Sequence, residues 1–173
     1  MLKKIILTLL LICFSTSAFA KKGINIFTYP RKAPTARIFN QYGQSFNLAD
    51  FSGNFLIVVF WSKTCIPCIK EIDDINEFIK KTNGTGIKLI TVSPDKEWLS
   101  AEEQKSFLKK YGGADIDFYT DKKSNLANSF GIFTSPHTVL INSSSMEIGR
   151  IRGAIDWDNK KTIEEIYKIK AQN

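Results

Sequence analysis

Cysteine is scarce in this chain of 173 residues: there are three, Cys13, Cys65 and Cys68, alongside a single histidine, His137. That scarcity excludes a disulfide scaffold, which takes several pairs in a small exported domain. It also argues against a structural zinc site, which takes about four Cys or His ligands, because the chain has no second Cys pair. No apolar run reaches the ~20 residues that span a bilayer comfortably. Internal repeats and low-complexity tracts are absent as well, so the chain reads as one domain rather than an array. The charge is basic without being extreme, at +7, and the lysines are scattered over expected helix faces. That pattern fits a solvated surface better than a nucleic-acid groove.

The first twenty residues are a targeting segment. Lys3 and Lys4 precede an apolar stretch from Ile5 to Phe14, and Ala18-Phe19-Ala20 supplies a small-x-small cleavage site. Residues 1–20 are therefore expected to be a cleaved signal peptide of bacterial type, with an uncleaved membrane anchor as the alternative. The expected location is the periplasm or another extracytoplasmic compartment, which also speaks against nucleic acid as a partner. Cys13 falls inside this segment, after Ile12 where a lipoprotein site wants a small residue. Removal leaves residues 21–173, enough for one domain with a sizeable core, and lowers the charge to +5 by loss of Lys3 and Lys4. It also leaves two cysteines, three positions apart. An exported protein with no other pair is not using disulfides as scaffolding, so this one is expected to react.

Those two cysteines sit where one kind of sequence gives way to another. Phe55-Leu56-Ile57-Val58-Val59-Phe60-Trp61 is the unbroken apolar run of a strand buried on both faces. From Ile66 through Ile69, Ile72, Ile75 and Ile79, isoleucine recurs at three- and four-residue steps, drawing one apolar stripe down a helix. Cys65 and Cys68 thus lie at a helix start, where free N–H groups and the dipole favour a thiolate, and the Cys65 pKa is expected below the free value of about 8.5. The spacing lets the sulfurs close into a disulfide, and lets Cys68 attack a mixed disulfide formed at Cys65. Pro67 fits because a first-turn N–H has no helical acceptor to lose.

Around this stretch the chain divides as follows. Residues 21–33, with Gly23 and Pro30, read as a flexible leader. Residues 37–40 and 44–48 flank Tyr42-Gly43 as an N-terminal hairpin. Ile87–Val92 is a second core strand, completing a βαβ unit. Residues 97–111 are expected as an inserted helix, Ile116–Tyr119 as a short strand and 123–130 as a short helix. Thr138–Ile141 and Met146–Ile151 form an antiparallel hairpin, and residues 159–170 a final amphipathic helix. The order implies an α/β domain over residues 34–173, with a mixed central sheet flanked by helices.

With Cys65-Ile66-Pro67-Cys68 at the strand-to-helix break and Ser135-Pro136 opening a late hairpin, the chain resembles the thioredoxin fold. More narrowly, Phe60-Trp61, Glu71, the inserted helix and the stretch from Gly131 to Asn142 are similar to the exported TlpA/ResA-like thiol–disulfide oxidoreductases, a group that includes cytochrome c maturation reductases. The resemblance implies a redox-active Cys65–Cys68 disulfide, protein-disulfide substrates, a membrane thiol reductase as electron donor, and no cofactor or metal. It further implies a cis bond before Pro136, with the Ser135 backbone offered to an incoming chain. Trp61 and Pro67 are expected beside that substrate surface, although Trp61 reads first as core. A monomer is expected.

Three positions depart from that pattern. Thr64 replaces a second tryptophan before the first cysteine. Val59 stands where thioredoxins proper carry a buried acid, so proton transfer from Cys68 would fall to Glu71, one helical turn further on. Asp73 replaces a helix-kinking proline, which predicts a straighter helix. Two other functions stay open at this level. One is a thiol peroxidase, for which Ser62 could serve although Val58 sits where a proline belongs. The other is a copper-binding assembly chaperone using Cys65, Cys68 and His137, since thiolates and imidazole suit Cu(I), although related copper carriers space their cysteines one residue wider.

Overall fold

In a computed structural model of the chain, residues 23–173 are described; the expected signal peptide at 1–20 lies outside them. Among the described residues no helix is long and apolar enough to cross a membrane.

The centre is β4 of an eight-stranded sheet. Its strands are β1 (Ile24–Lys32), β2 (Ile38–Phe39), β3 (Ser45–Phe46), β4 (Phe55–Phe60), β5 (Ile87–Pro94), β6 (Asp117–Asp121), β7 (His137–Ile141) and β8 (Met146–Arg152). They are ordered β1-β8-β7-β4-β5-β6-β2-β3. The helices are α1 (Ile66–Lys70), α2 (Ile72–Lys81), α3 (Ala101–Lys110), α4 (Asn125–Ser129) and α5 (Lys160–Gln172). β4 pairs in parallel with β5, and β5 with β6, while β7 runs antiparallel to β4. The sheet is therefore mixed, as the element order predicts.

Because strand side chains alternate, β4 feeds two cores. Phe55, Ile57, Val59 and the following Trp61 point to one side, where they meet Cys68, Ile72, Ile75 and Phe78 from α1 and α2, Leu108 from α3, and Ile166 and Ile169 from α5. Leu56, Val58 and Phe60 point to the other, with Ile38, Leu126, Phe130, Val139 and Ile141. Both faces are covered, which is why the strand reads as continuously apolar. The cysteine motif opens the helical layer on the first side.

Three expectations are corrected. The flexible leader over 21–33 is for most of its length a strand: β1 pairs antiparallel with β8, Ile24 opposite Ile151 and Ile26 opposite Gly149, then resumes with Arg31 opposite Glu147. Its periodicity is faint because an edge strand exposes most of its side chains, and Pro30 falls in the unpaired interruption, where a missing N–H costs nothing. The inserted helix begins at Ala101, not 97. Ser100 Oγ caps it by accepting the Glu103 amide at 3.2 Å, and Asp95–Glu97 forms a separate 3-10 turn. The helix after the cysteines is not straight either. It divides at Glu71, whose amide bonds back to the Cys68 carbonyl at 3.2 Å in a tightened turn before α2 resumes.

Candidate active site

Cys65 is the N-cap residue of α1, with extended backbone, and Cys68 lies one turn in. A disulfide joins them, with their Cα atoms 5.3 Å apart. The two sulfur-bearing residues differ in access: Cys65 is partly exposed, whereas Cys68 is only 2 % exposed. The Cys68 amide donates to Cys65 Sγ at 3.3 Å, so the stabilisation expected from a helix start takes the form of one identified N–H group. α1 itself is five residues long, and its dipole adds little beyond that contact. Ile66 and Pro67, between the cysteines, are exposed.

Opposite them stands the start of β7. Phe60 and His137 are register partners, so the residues just before His137 lie level with the residues just after Phe60, where the cysteine turn begins. Ser135 is exposed, Pro136 is buried, and the bond between them is cis. The Pro136 carbonyl accepts the Gly153 amide at 2.9 Å, which ties this corner to the end of β8. Phe133, in the same loop, is 84 % exposed.

Trp61 does not join the substrate-facing surface. It is 3 % exposed and stacks at 5.6 Å from Trp98 and 6.0 Å from Phe107, because it continues the inward-facing side of β4. Glu71 is buried as well. Its Oε1 accepts the Ile155 amide at 2.7 Å and the Trp157 indole N–H at 3.1 Å, pinning the β8–α5 loop beneath the cysteine helix. Val59, 1 % exposed, leaves the place behind the disulfide apolar, as expected from its identity.

His137 is buried on β7, and alternation puts it with Val139 and Ile141 on the sheet face opposite the core that holds Cys68. Burial, and then the neighbouring Arg150 and Arg152, pull its pKa down to about 4. The three donors of a Cys65–Cys68–His137 copper site are thus divided between two faces. Ser62, the hydroxyl that a peroxide pocket would need, is 2.7 Å from Glu97 Oε1, and Val58 is fully buried.

The contacts that support the turn before Cys65 were not legible in the sequence. Glu97 takes both the Ser62 hydroxyl and the Lys63 amide, the latter at 2.9 Å, and Lys63 Nζ reaches Glu103 at 3.0 Å. Glu97 reads in the sequence only as an acid near a helix start. Nothing local marks its partners, which lie 34 and 35 residues upstream.

A thioredoxin-like domain that carries a partly exposed cysteine bonded to a buried one three residues on is a thiol–disulfide oxidoreductase. The chain belongs to the AhpC/TSA family, which matches residues 29–166. It is 28% identical over 140 residues to the thiol-disulfide oxidoreductase ResA of Bacillus thuringiensis subsp. konkukian, covering 80% of this chain and 76% of that one. The ResA of Geobacillus thermodenitrificans is 24% identical over 172 residues, covering 95% and 94%. Among solved structures, a thiol:disulfide interchange protein from Bacteroides sp. superimposes with a TM-score of 0.69 at 20% identity, covering 84% of this chain and 91% of that one.

Proposed function

We propose that this oxidoreductase works outside the cytoplasm as a protein-disulfide reductase, with Cys65 as the attacking sulfur and Cys68 as the resolving one. The observation that carries the assignment is the asymmetry of the pair: Cys65 is reachable and its sulfur accepts an N–H, while Cys68 is enclosed. The Cys65 thiolate attacks one sulfur of a substrate disulfide, that S–S bond breaks, and the other substrate sulfur leaves as a thiolate. Cys68 loses its proton and attacks Cys65, freeing the second substrate thiolate. Two electrons pass to the substrate, and the protein is left as the disulfide. An incoming chain docks beside Ser135, Pro136 and the exposed Pro67, pairing its backbone with that of Ser135.

Glu71 is proposed to take the Cys68 proton. It lies within one turn of Cys68 and is buried, and the tie to Ile155 and Trp157 holds it in place. Return to the dithiol requires a dithiol donor; a membrane thiol reductase fills that role for an exported protein, and haem-binding cysteines of immature cytochrome c are the proposed substrate. Lys3, Lys4, the Ile5–Phe14 run and Ala18-Phe19-Ala20 support export. The protein is proposed to act as a monomer.

The direction is tested by the reduction potential of the Cys65–Cys68 pair against glutathione. A reductase is expected near the reducing end of the range for this fold, below about −200 mV, and a value above about −150 mV would make the protein an oxidant.

A further inference from the structure

The turn that delivers Cys65 is held by an acid from the inserted segment. Between Ser62 and Cys65 the backbone makes a tight turn, the Cys65 amide donating to the Ser62 carbonyl at 3.1 Å. The Thr64 amide donates to Ser62 Oγ at 3.2 Å, and the Lys63 amide to Glu97 Oε2 at 2.9 Å. All three N–H groups of the turn therefore have acceptors, one of which is Glu97. Glu97 Oε1 lies 2.7 Å from Ser62 Oγ, and Ser62 Oγ is 2.9 Å from Thr64 Oγ1.

The direction of these hydroxyl bonds follows from proton counting. An ionised carboxylate only accepts, so the single Ser62 hydroxyl proton goes to Glu97. Ser62 is then the acceptor towards Thr64, and the Thr64 proton is committed to Ser62 rather than to a Cys65 sulfur. Nor is the Glu97 charge taken up by the adjacent ammonium. Lys63 Nζ bonds Glu103 at 3.0 Å and lies 4.9 Å from the Trp98 ring centre. Trp98 follows Glu97 directly and is itself anchored, its indole N–H on Ser93 Oγ at 2.7 Å and its ring 5.6 Å from Trp61. The acid is thus built in on both sides.

We propose that Glu97 is a positioning residue for thiol exchange, fixing the Ser62–Cys65 turn and placing a negative charge that disfavours the Cys65 thiolate and makes the disulfide harder to reduce. The inference rests on Cys65 being the attacking sulfur. It assigns the inserted segment a part in setting the redox balance and accounts for the Ser62-x-Thr64 pair before the first cysteine.

The test is the pH dependence of iodoacetamide alkylation of Cys65 in the reduced, full-length protein, read by peptide mass. Glu97→Gln keeps the size of the side chain, removes the charge and leaves one acceptor oxygen where the carboxylate has two. It is expected to lower the Cys65 pKa by about half to one pH unit and, above that pKa, to move the equilibrium with glutathione roughly three- to tenfold towards the dithiol. Glu102→Gln removes the same charge from the exposed side of α3 and is expected to leave Cys65 unchanged. An unmoved Cys65 in Glu97→Gln, or an equal shift in Glu102→Gln, overturns the proposal. If Glu97→Gln does not fold, Ser62→Ala decides, since it frees the Thr64 proton with the carboxylate in place: a smaller fall in pKa supports the proposal and no change overturns it. Preferential alkylation of Cys68 in the wild type sinks both this inference and the assignment of Cys65. A lowered wild-type Cys65 pKa that Glu97→Gln fails to move sinks this inference alone.

Discussion

At the scale of single residues, the buried acid Glu71 has a structural role and a proposed proton-accepting one, and the two separate under mutation. Its Oε1 is the acceptor for one backbone and one indole N–H, and a buried donor left without its acceptor costs about 1–3 kcal/mol. Glu71→Ala leaves those donors enclosed and is expected to cost roughly 2–4 kcal/mol in urea unfolding, with the Trp157 environment reporting the change. Glu71→Gln retains an acceptor and is expected to cost about 1 kcal/mol while altering the pH profile of mixed-disulfide resolution. An unchanged profile would leave Glu71 as the tie of the β8–α5 loop and nothing more. The acid was visible in the sequence by its spacing from Cys68; its partners were not, because Ile155 and Trp157 lie more than eighty positions downstream. Trp61 shows the converse. Its place at the end of the apolar run reads first as core, and strand alternation keeps it there and away from the substrate-facing surface that its closeness to Cys65 also allows.

Among the elements, those with a strong period were legible and those that lean on a distant partner were not. β4 and the β7–β8 hairpin match their expected bounds within a residue or two, since each carries its own apolar pattern. β1 was missed because its order comes from β8. The contact between them is close: a Cβ placed on Gly149 would lie 2.6 Å from the Asn25 carbonyl oxygen and 2.7 Å from Ile26. Gly149→Ala is therefore expected to push β1 off the sheet, with faster amide exchange at residues 24–26 and a loss of about 1–3 kcal/mol. Unaltered protection there would mean that β1 can shift at no cost. The break at Glu71 was hidden for a related reason. The isoleucine stripe runs straight through it, and side-chain pattern does not record a backbone turn tightened by one residue.

For the whole molecule, pH couples to stability through His137. Its folded pKa of about 4 lies below the ordinary 6.5 because burial, then Arg150 and Arg152, disfavour the cation. Between these values the unfolded chain binds a proton that the native state does not, so stability is complete above about pH 6.5 and falls as the pH is lowered towards 4, by at most about 3 kcal/mol. Asp74 and Asp121 have raised pKa values, chiefly from burial, and oppose this trend at the acid end. The comparison is therefore wild type minus His137→Gln in urea unfolding at each pH: the difference should shrink as the pH falls, and a constant difference would contradict the burial of a neutral His137. The mixed sheet flanked by helices followed from the order of apolar runs, and the chemistry from two cysteines and a late Ser-Pro. What the sequence left open, the faces on which His137 and Trp61 lie and the acid behind Ser62, depends on which strands become neighbours. The central claim is that Cys65 attacks a partner's disulfide and Cys68 resolves it. It is tested most directly by incubating Cys68→Ser and Cys65→Ser, each reduced, with a protein disulfide substrate and resolving the products without reductant. The account predicts a stable mixed disulfide on Cys65 in Cys68→Ser and none in Cys65→Ser; a trapped adduct on Cys68, or none in either variant, would contradict it.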